Sequence, residues 1–126
     1  MDIVYSSSDS YCEIAGISML SLLEHNRNVE NLNLYLIDNN ISEENKRRLE
    51  QMIAGFGRSL TYLSHPDIEK RSATEINVGR WNISTFYRLF LPSMLPKSVK
   101  KVLFIDCDTL VLQDLSPLWD MAMGDK

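Results

Sequence analysis

KVLFIDCDTLVLQD, residues 101–114, runs an apolar segment directly into acids. Val102, Leu103, Phe104 and Ile105 have the character of a buried strand. The run stops at Asp106, Asp108 follows with only Cys107 between, and Asp114 closes the stretch. Residues i and i+2 of an extended chain point to the same side, so Asp106 and Asp108 converge while Cys107 turns away. Two carboxylates held close repel unless a positive charge lies between them. A hard divalent cation such as Mn²⁺ or Mg²⁺ fits, because it takes oxygen ligands and keeps positions for substrate phosphates. The plainer alternative is that the acids end a strand and begin a turn. Asp-x-Asp alone is too short to separate the two.

The upstream chain supplies the frame. Asp2 to Tyr5 reads as a first strand, followed by the polar loop Ser6-Ser7-Ser8-Asp9-Ser10. From Cys12 to Glu24 the residues Ile14, Ala15, Ile17, Met19, Leu20, Leu22 and Leu23 fall nearly all round a helix, which predicts a well-buried one. Leu32 to Ile37 makes a second strand, ended by Asp38-Asn39-Asn40. Ser42 is an N-cap, with Glu43 and Glu44 at the positive end of the helix that follows. Leu49, Met52, Ile53 and Phe56 form one apolar stripe, and Gly55 and Gly57 provide the stop. Ser59 to Leu63 is a third strand and 65–80 an irregular loop. A further helix begins near Ser84 and ends by Pro92. Ser84 and Thr85 serve there as cap and packing residues. Leu115 to Trp119 is a capped helical start with Pro117 at its first position, and Asp114 is its entry acid.

Strands alternating with helices define an α/β fold: a mostly parallel sheet, helices on both faces, right-handed crossovers. Ligands in such folds bind beyond the carboxyl ends of the strands. Both polar stretches, 6–11 and 106–108, lie there, and this favours a binding role for the acids.

The bulk numbers narrow the partners. The 126 residues fit one domain, 44% hydrophobic and 24% charged, with no repeat or linker. Seventeen acids against thirteen Lys and Arg give a net charge of −4. The longest basic run, Lys46-Arg47-Arg48, reads as a solvated helix face, so neither nucleic acid nor a membrane surface is indicated. No signal peptide or membrane-spanning stretch is visible. Cys12 and Cys107 lack metal spacing and read as reduced, mostly buried thiols of a cytoplasmic protein. His25 and His65 have no partner pattern.

Three stretches in order, MDIVYSSSDSY at 1–11, WNISTFYRL at 81–89 and KVLFIDCDTLVLQDLSPLW at 101–119, resemble the family 8 glycosyltransferases. The resemblance implies a Rossmann-like GT-A fold, a UDP-sugar donor, and Mn²⁺ (or Mg²⁺) held by Asp106 and Asp108. It implies hexosyl transfer with retention of anomeric configuration to a glycan or protein acceptor, such as lipopolysaccharide or glycoprotein. The first loop would then hold the uridine, with Tyr11 stacked on uracil, Asp9 in the nucleotide pocket, and Ser6 and Ser8 lining it. Many relatives carry an acid where Ser8 stands; a serine donates or accepts there without charge. Arg88 corresponds to an arginine near the donor sugar and phosphates. Breaking the anomeric bond builds negative charge on the β-phosphate, which a cation on the two acids neutralises.

In the family, later sequence supplies a histidine for the metal, a lysine for the phosphates and most of the acceptor pocket. Residues 1–126 are therefore expected to be the nucleotide-binding part of a glycosyltransferase domain. The expected setting is cytoplasmic, or peripheral at the inner membrane surface, and a homo-oligomer is compatible with it. Two other readings stay open. A strand followed by Asp-x-Asp and Thr also resembles haloacid-dehalogenase-type phosphatases, with Asp106 as nucleophile and Asp108 as acid/base. Those place a glycine between the second acid and the threonine, and open their domain with the motif. The third reading is a non-catalytic nucleotide-binding module.

Overall fold

A computed structural model describes residues 1–64 and 87–124. The loop at 65–80, His65, and the helix start at Ser84 and Thr85 lie outside the described residues, as does most of WNISTFYRL. The strands are β1 (Asp2–Ser8), β2 (Asn33–Asn39), β3 (Leu60–Leu63) and β4 (Leu103–Phe104). The α-helices are α1 (Cys12–His25), α2 (Glu43–Ala54), α3 (Leu91–Met94) and α4 (Ser116–Trp119). Single 3₁₀ turns cover Asp9–Tyr11 and Tyr87–Phe90.

The sheet has the order β3-β2-β1-β4, and every pairing is parallel. Alternation along β1 divides the core. Ile3 and Tyr5 join Leu34, Leu36, Met19, Leu22, Leu49 and Ile53 on the face covered by α1 and α2. Val4 joins Tyr35, Ile37, Leu63, Tyr87 and Leu91 on the other face. Helical segments thus lie on both faces, as the α/β pattern predicts.

Local chemistry explains the ends of α2. Ser42 Oγ accepts from the Asn45 N–H at 3.3 Å, and Ile53 carbonyl accepts from Arg58 beyond Gly57, which has φ +72°. Asn40, at φ +59°, makes the turn after β2.

Several expectations need correction. β1 continues through Ser6, Ser7 and Ser8, which pair with Ile37, Asp38 and Asn39, so these serines belong to the strand and not to a loop. A long ladder with β2 outweighs their low strand propensity. Helix α1 is only half-buried: Ile14, Ile17 and Leu20 are 42%, 58% and 44% exposed, because α1 presents one side to the sheet. Pro92 does not end a helix. It lies in the first turn of α3, where a missing N–H costs nothing. Lys46 is not a solvated base: its Nζ is 2.6 Å from Asp38 and lies over the Tyr62 ring.

Candidate functional site

β1 is flanked by β2 on one side and by β4 on the other, so the chain reverses its direction of travel across the sheet at β1. Open α/β sheets bind ligands at the carboxyl ends of the strands beside such a reversal. Val4 pairs with Phe104, and the Ile105 N–H donates to the Val4 carbonyl at 2.9 Å. This pairing brings Ser6–Tyr11 and Asp106–Thr109 to the same end of two adjacent strands.

The β1 side carries four of the sequence-predicted residues. Ser6 Oγ is buried and has no hydrogen-bond partner. An orphaned buried hydroxyl is uncommon and fits a position completed by a ligand or water. Ser8 Oγ lies 3.1 Å from Ser10 Oγ. Tyr11, at the end of its 3₁₀ turn, is 49% exposed. Asp9 has a second duty. Its Oδ1 accepts from the Ser42 N–H and from Asn45 Nδ2, each at 2.8 Å, tying the β1 loop to the start of α2. These bonds hold its carboxyl below the usual range.

On the β4 side the strand ends at Phe104, so Asp106, Cys107 and Asp108 lie in a turn and not in the extended chain that the sequence reading expected. Cys107 is half-buried and packs on the α1 face of the core, while Asp106 and Asp108 are exposed. Burial raises the Cys107 thiol, and the charges of Asp108 and Asp106 raise it further. Both cysteines are free. Neither Asp106 nor Asp108 joins an ion pair among the described residues. Two exposed, unpaired carboxylates beside a turn fit a hard divalent cation in donor type. No group of three or more His, Cys, Asp or Glu gathers among the described residues, so further ligands would have to come from elsewhere. Asp114 is not one of them: its Oδ1 accepts from the Ser116 N–H at 2.7 Å, the helix-entry role expected of it. Arg88 is exposed on the 3₁₀ turn before α3, its guanidinium 5.5 Å from the ring centre of Phe104. It therefore sits against the strand that leads to the acids.

Sequence reasoning missed the side chains that hold the acid turn. Thr109 Oγ1 donates to the Asp106 carbonyl at 2.7 Å. Ser21 Oγ accepts from the Val111 N–H at 2.9 Å, and Asn26 Oδ1 accepts from the Leu115 N–H at 2.8 Å. Ser18 and Asn26 are fully buried. Their signal was the interruption of an otherwise apolar helix by Ser18, Ser21 and Asn26 on one side.

With this geometry in place, the relatives are informative. The sequence model of Glycosyl transferase family 8 matches residues 2–126. The chain is 34% identical over 126 residues to General stress protein A of Bacillus subtilis, covering 98% of this chain and 43% of that protein. It is 24% identical over 121 residues to a putative glycosyltransferase of Haemophilus influenzae, covering 96% of this chain and 36% of that one. Among solved structures, the galactosyltransferase LgtC in complex with donor and acceptor sugar analogues superimposes with a TM-score of 0.82 at 27% identity. That match covers 98% of this chain and 44% of LgtC. The bifunctional glycosyltransferase WbbM gives 0.77 at 31% identity, over 98% of this chain and 21% of that one.

The parallel four-stranded sheet with helices matches the Rossmann-like GT-A fold. The chain belongs to glycosyl transferase family 8. It spans less than half the length of these relatives. Family membership leaves the phosphatase alternative without support, as does the position of the acids after β4, not after the first strand. No helix among the described residues is long and apolar enough to cross a membrane.

Proposed function

We propose that this chain binds the donor of a retaining hexosyltransferase, a UDP-sugar, with Mn²⁺ or Mg²⁺ between the protein and the diphosphate. The acceptor would be a glycan or protein-linked glycan. The observation that carries this reading is the placement of two segments at the carboxyl ends of adjacent β1 and β4, one bearing half-exposed Tyr11 and the other two exposed acids with no ion-pair partner among the described residues. Tyr11 would stack on the uracil, a sequence-tolerant contact of about 1–3 kcal/mol. Ser6, with its unpartnered hydroxyl, and Ser8 would line the same pocket. Asp9 would shape it through its hold on α2. Arg88, already against Phe104, would face the sugar and phosphate side.

Asp106 and Asp108 would hold the cation. When bound, the cation supplies Lewis-acid stabilisation of the charge that develops on the leaving diphosphate. The two carboxylates would fix where that positive charge sits.

Calorimetry of UDP binding, with and without Mn²⁺, tests this in the wild type, Asp106→Asn and Asp108→Asn. The wild type should bind UDP more tightly with Mn²⁺. Each substitution removes an anionic ligand and should abolish that gain while leaving metal-free binding intact. Stability should hold or rise, since one of two neighbouring like charges is gone. A Mn²⁺-dependent gain that survives in both variants would place the cation elsewhere.

A further inference from the structure

A chain of hydroxyls runs from the buried sheet to the exposed acid turn. Tyr5 Oη lies 3.0 Å from Ser18 Oγ, and Ser18 Oγ lies 3.4 Å from Thr109 Oγ1. Thr109 Oγ1 donates to the Asp106 carbonyl at 2.7 Å. Each hydroxyl has one proton. Thr109 directs its proton to Asp106, so Ser18 must donate to Thr109 and Tyr5 to Ser18. All three protons therefore point the same way, an arrangement in which each bond polarises the next. Tyr5 and Ser18 are fully buried, and burial pushes the Tyr5 phenol up to about 12, so it remains a donor at neutral pH. The Ser18–Thr109 link is the longest and weakest of the three.

The relay connects three separate elements. Tyr5 is on β1, Ser18 on α1, and Thr109 on the turn after β4, ninety-one positions from Ser18 in the chain. It ends on the carbonyl of the very residue that bears the first acid. Upstream of it the turn has little backbone support among the described residues, where β4 pairs with β1 through Leu103 and Phe104 before the Ile105 bond.

We propose that Tyr5, Ser18 and Thr109 are positioning residues, a one-way hydroxyl relay that holds the Asp106–Thr109 turn, and with it both carboxylates, in one arrangement. Its consequence for metal binding rests on the reading of Asp106 and Asp108 as cation ligands. Its consequence for the order of the turn does not.

The test uses Thr109→Val, which keeps the shape and removes the hydroxyl, and Thr109→Ser, which keeps the hydroxyl. Tyr5→Phe removes the far end of the relay. Two quantities are read on each chain: the Mn²⁺-dependent gain in UDP affinity, and the rate at which N-ethylmaleimide alkylates each cysteine, resolved by mass spectrometry without metal. Cys107 reports the turn, and buried Cys12 on α1 reports the fold at large. In Thr109→Val the Mn²⁺ gain should shrink about five- to tenfold, the scale of one lost hydrogen bond, with metal-free UDP binding unchanged. Cys107 should react several-fold faster and Cys12 at the wild-type rate. Thr109→Ser should restore both readings, and Tyr5→Phe should give a smaller change in the same direction. Wild-type Cys107 reactivity in Thr109→Val overturns the relay, as does acceleration of both cysteines together, which marks general loosening. A wild type with no Mn²⁺ gain overturns the cation reading instead, and the alkylation rates then decide the relay alone.

Discussion

The β1–β2 region and the segment from β4 to α4 are built by different means. β1 and β2 run in register from Asp2–Asn33 to Ser8–Asn39, and their inward residues Ile3, Tyr5, Leu34 and Leu36 are essentially inaccessible. β4 has two ladder residues, Leu103 and Phe104, and both are only half-buried. What holds the second region is a set of side chains from α1 and its C-cap: Ser21 and Asn26 accept from its backbone, and Ser18 meets the Thr109 hydroxyl. One region is specified by repeating backbone geometry and burial. The other depends on individual hydrogen bonds, and it carries the acids.

Equivalent truncations should therefore cost unequal amounts. Leu36→Ala, in the buried ladder, should lose about 3–5 kcal/mol in urea unfolding, whereas half-buried Leu103→Ala should lose about 1–2. Equal losses would break the contrast. The next effect tests the side-chain staples. Asn26→Ala leaves the Leu115 N–H and the Leu22 carbonyl without the partners that Asn26 provides. It should cost about 2–3 kcal/mol, the penalty for stranding buried polar groups, and amide exchange at Leu115 should quicken.

Tyr11→Ala separates binding from architecture. An exposed ring contributes little to folding, so stability should stay within about 0.5 kcal/mol. UDP affinity measured by calorimetry should fall by about 1–3 kcal/mol. Unchanged affinity would remove this loop from the uridine site. The smallest effect concerns Asp9, whose folded pKa is lowered by the Ser42 backbone and the Asn45 side chain. A lowered carboxylate pKa stabilises the fold above the unfolded value of about 4 and loses that contribution as pH falls through the folded value. The melting temperature of the wild type should consequently drop more steeply below pH ~4 than that of Asp9→Asn. Parallel acid limbs would show that the Asp9–α2 tie adds nothing beyond a neutral hydrogen bond.

Much of the frame was legible because its signals are local. Ser42, the stripe Leu49-Met52-Ile53-Phe56 and Gly57 define α2 without reference to anything distant. Cys107 does turn inward between two exposed acids, although a turn after Phe104, and not an extended chain, carries them. Where local signals compete, the reading failed. Ser6 to Ser8 have loop-like composition, yet the β2 ladder extends through them. Pro92 is a stop signal after one helix and a start signal for the next, and α3 uses the second.

The sequence alone determines the parallel α/β alternation, the position of the acids at a strand's carboxyl end, and the family that both belong to. Each rests on periodicity or on residue order, which are properties of short windows and of their succession along the chain. Only the tertiary structure decides that β4 lies beside β1, that Asp9 is tied to α2, and that Tyr5, Ser18 and Thr109 form a line ending on Asp106. A serine inside an apolar helix has the same local propensity whether it faces solvent or a partner backbone. Its role is set by what the folded chain brings to within about 3 Å of its oxygen, the range over which a hydroxyl makes a hydrogen bond.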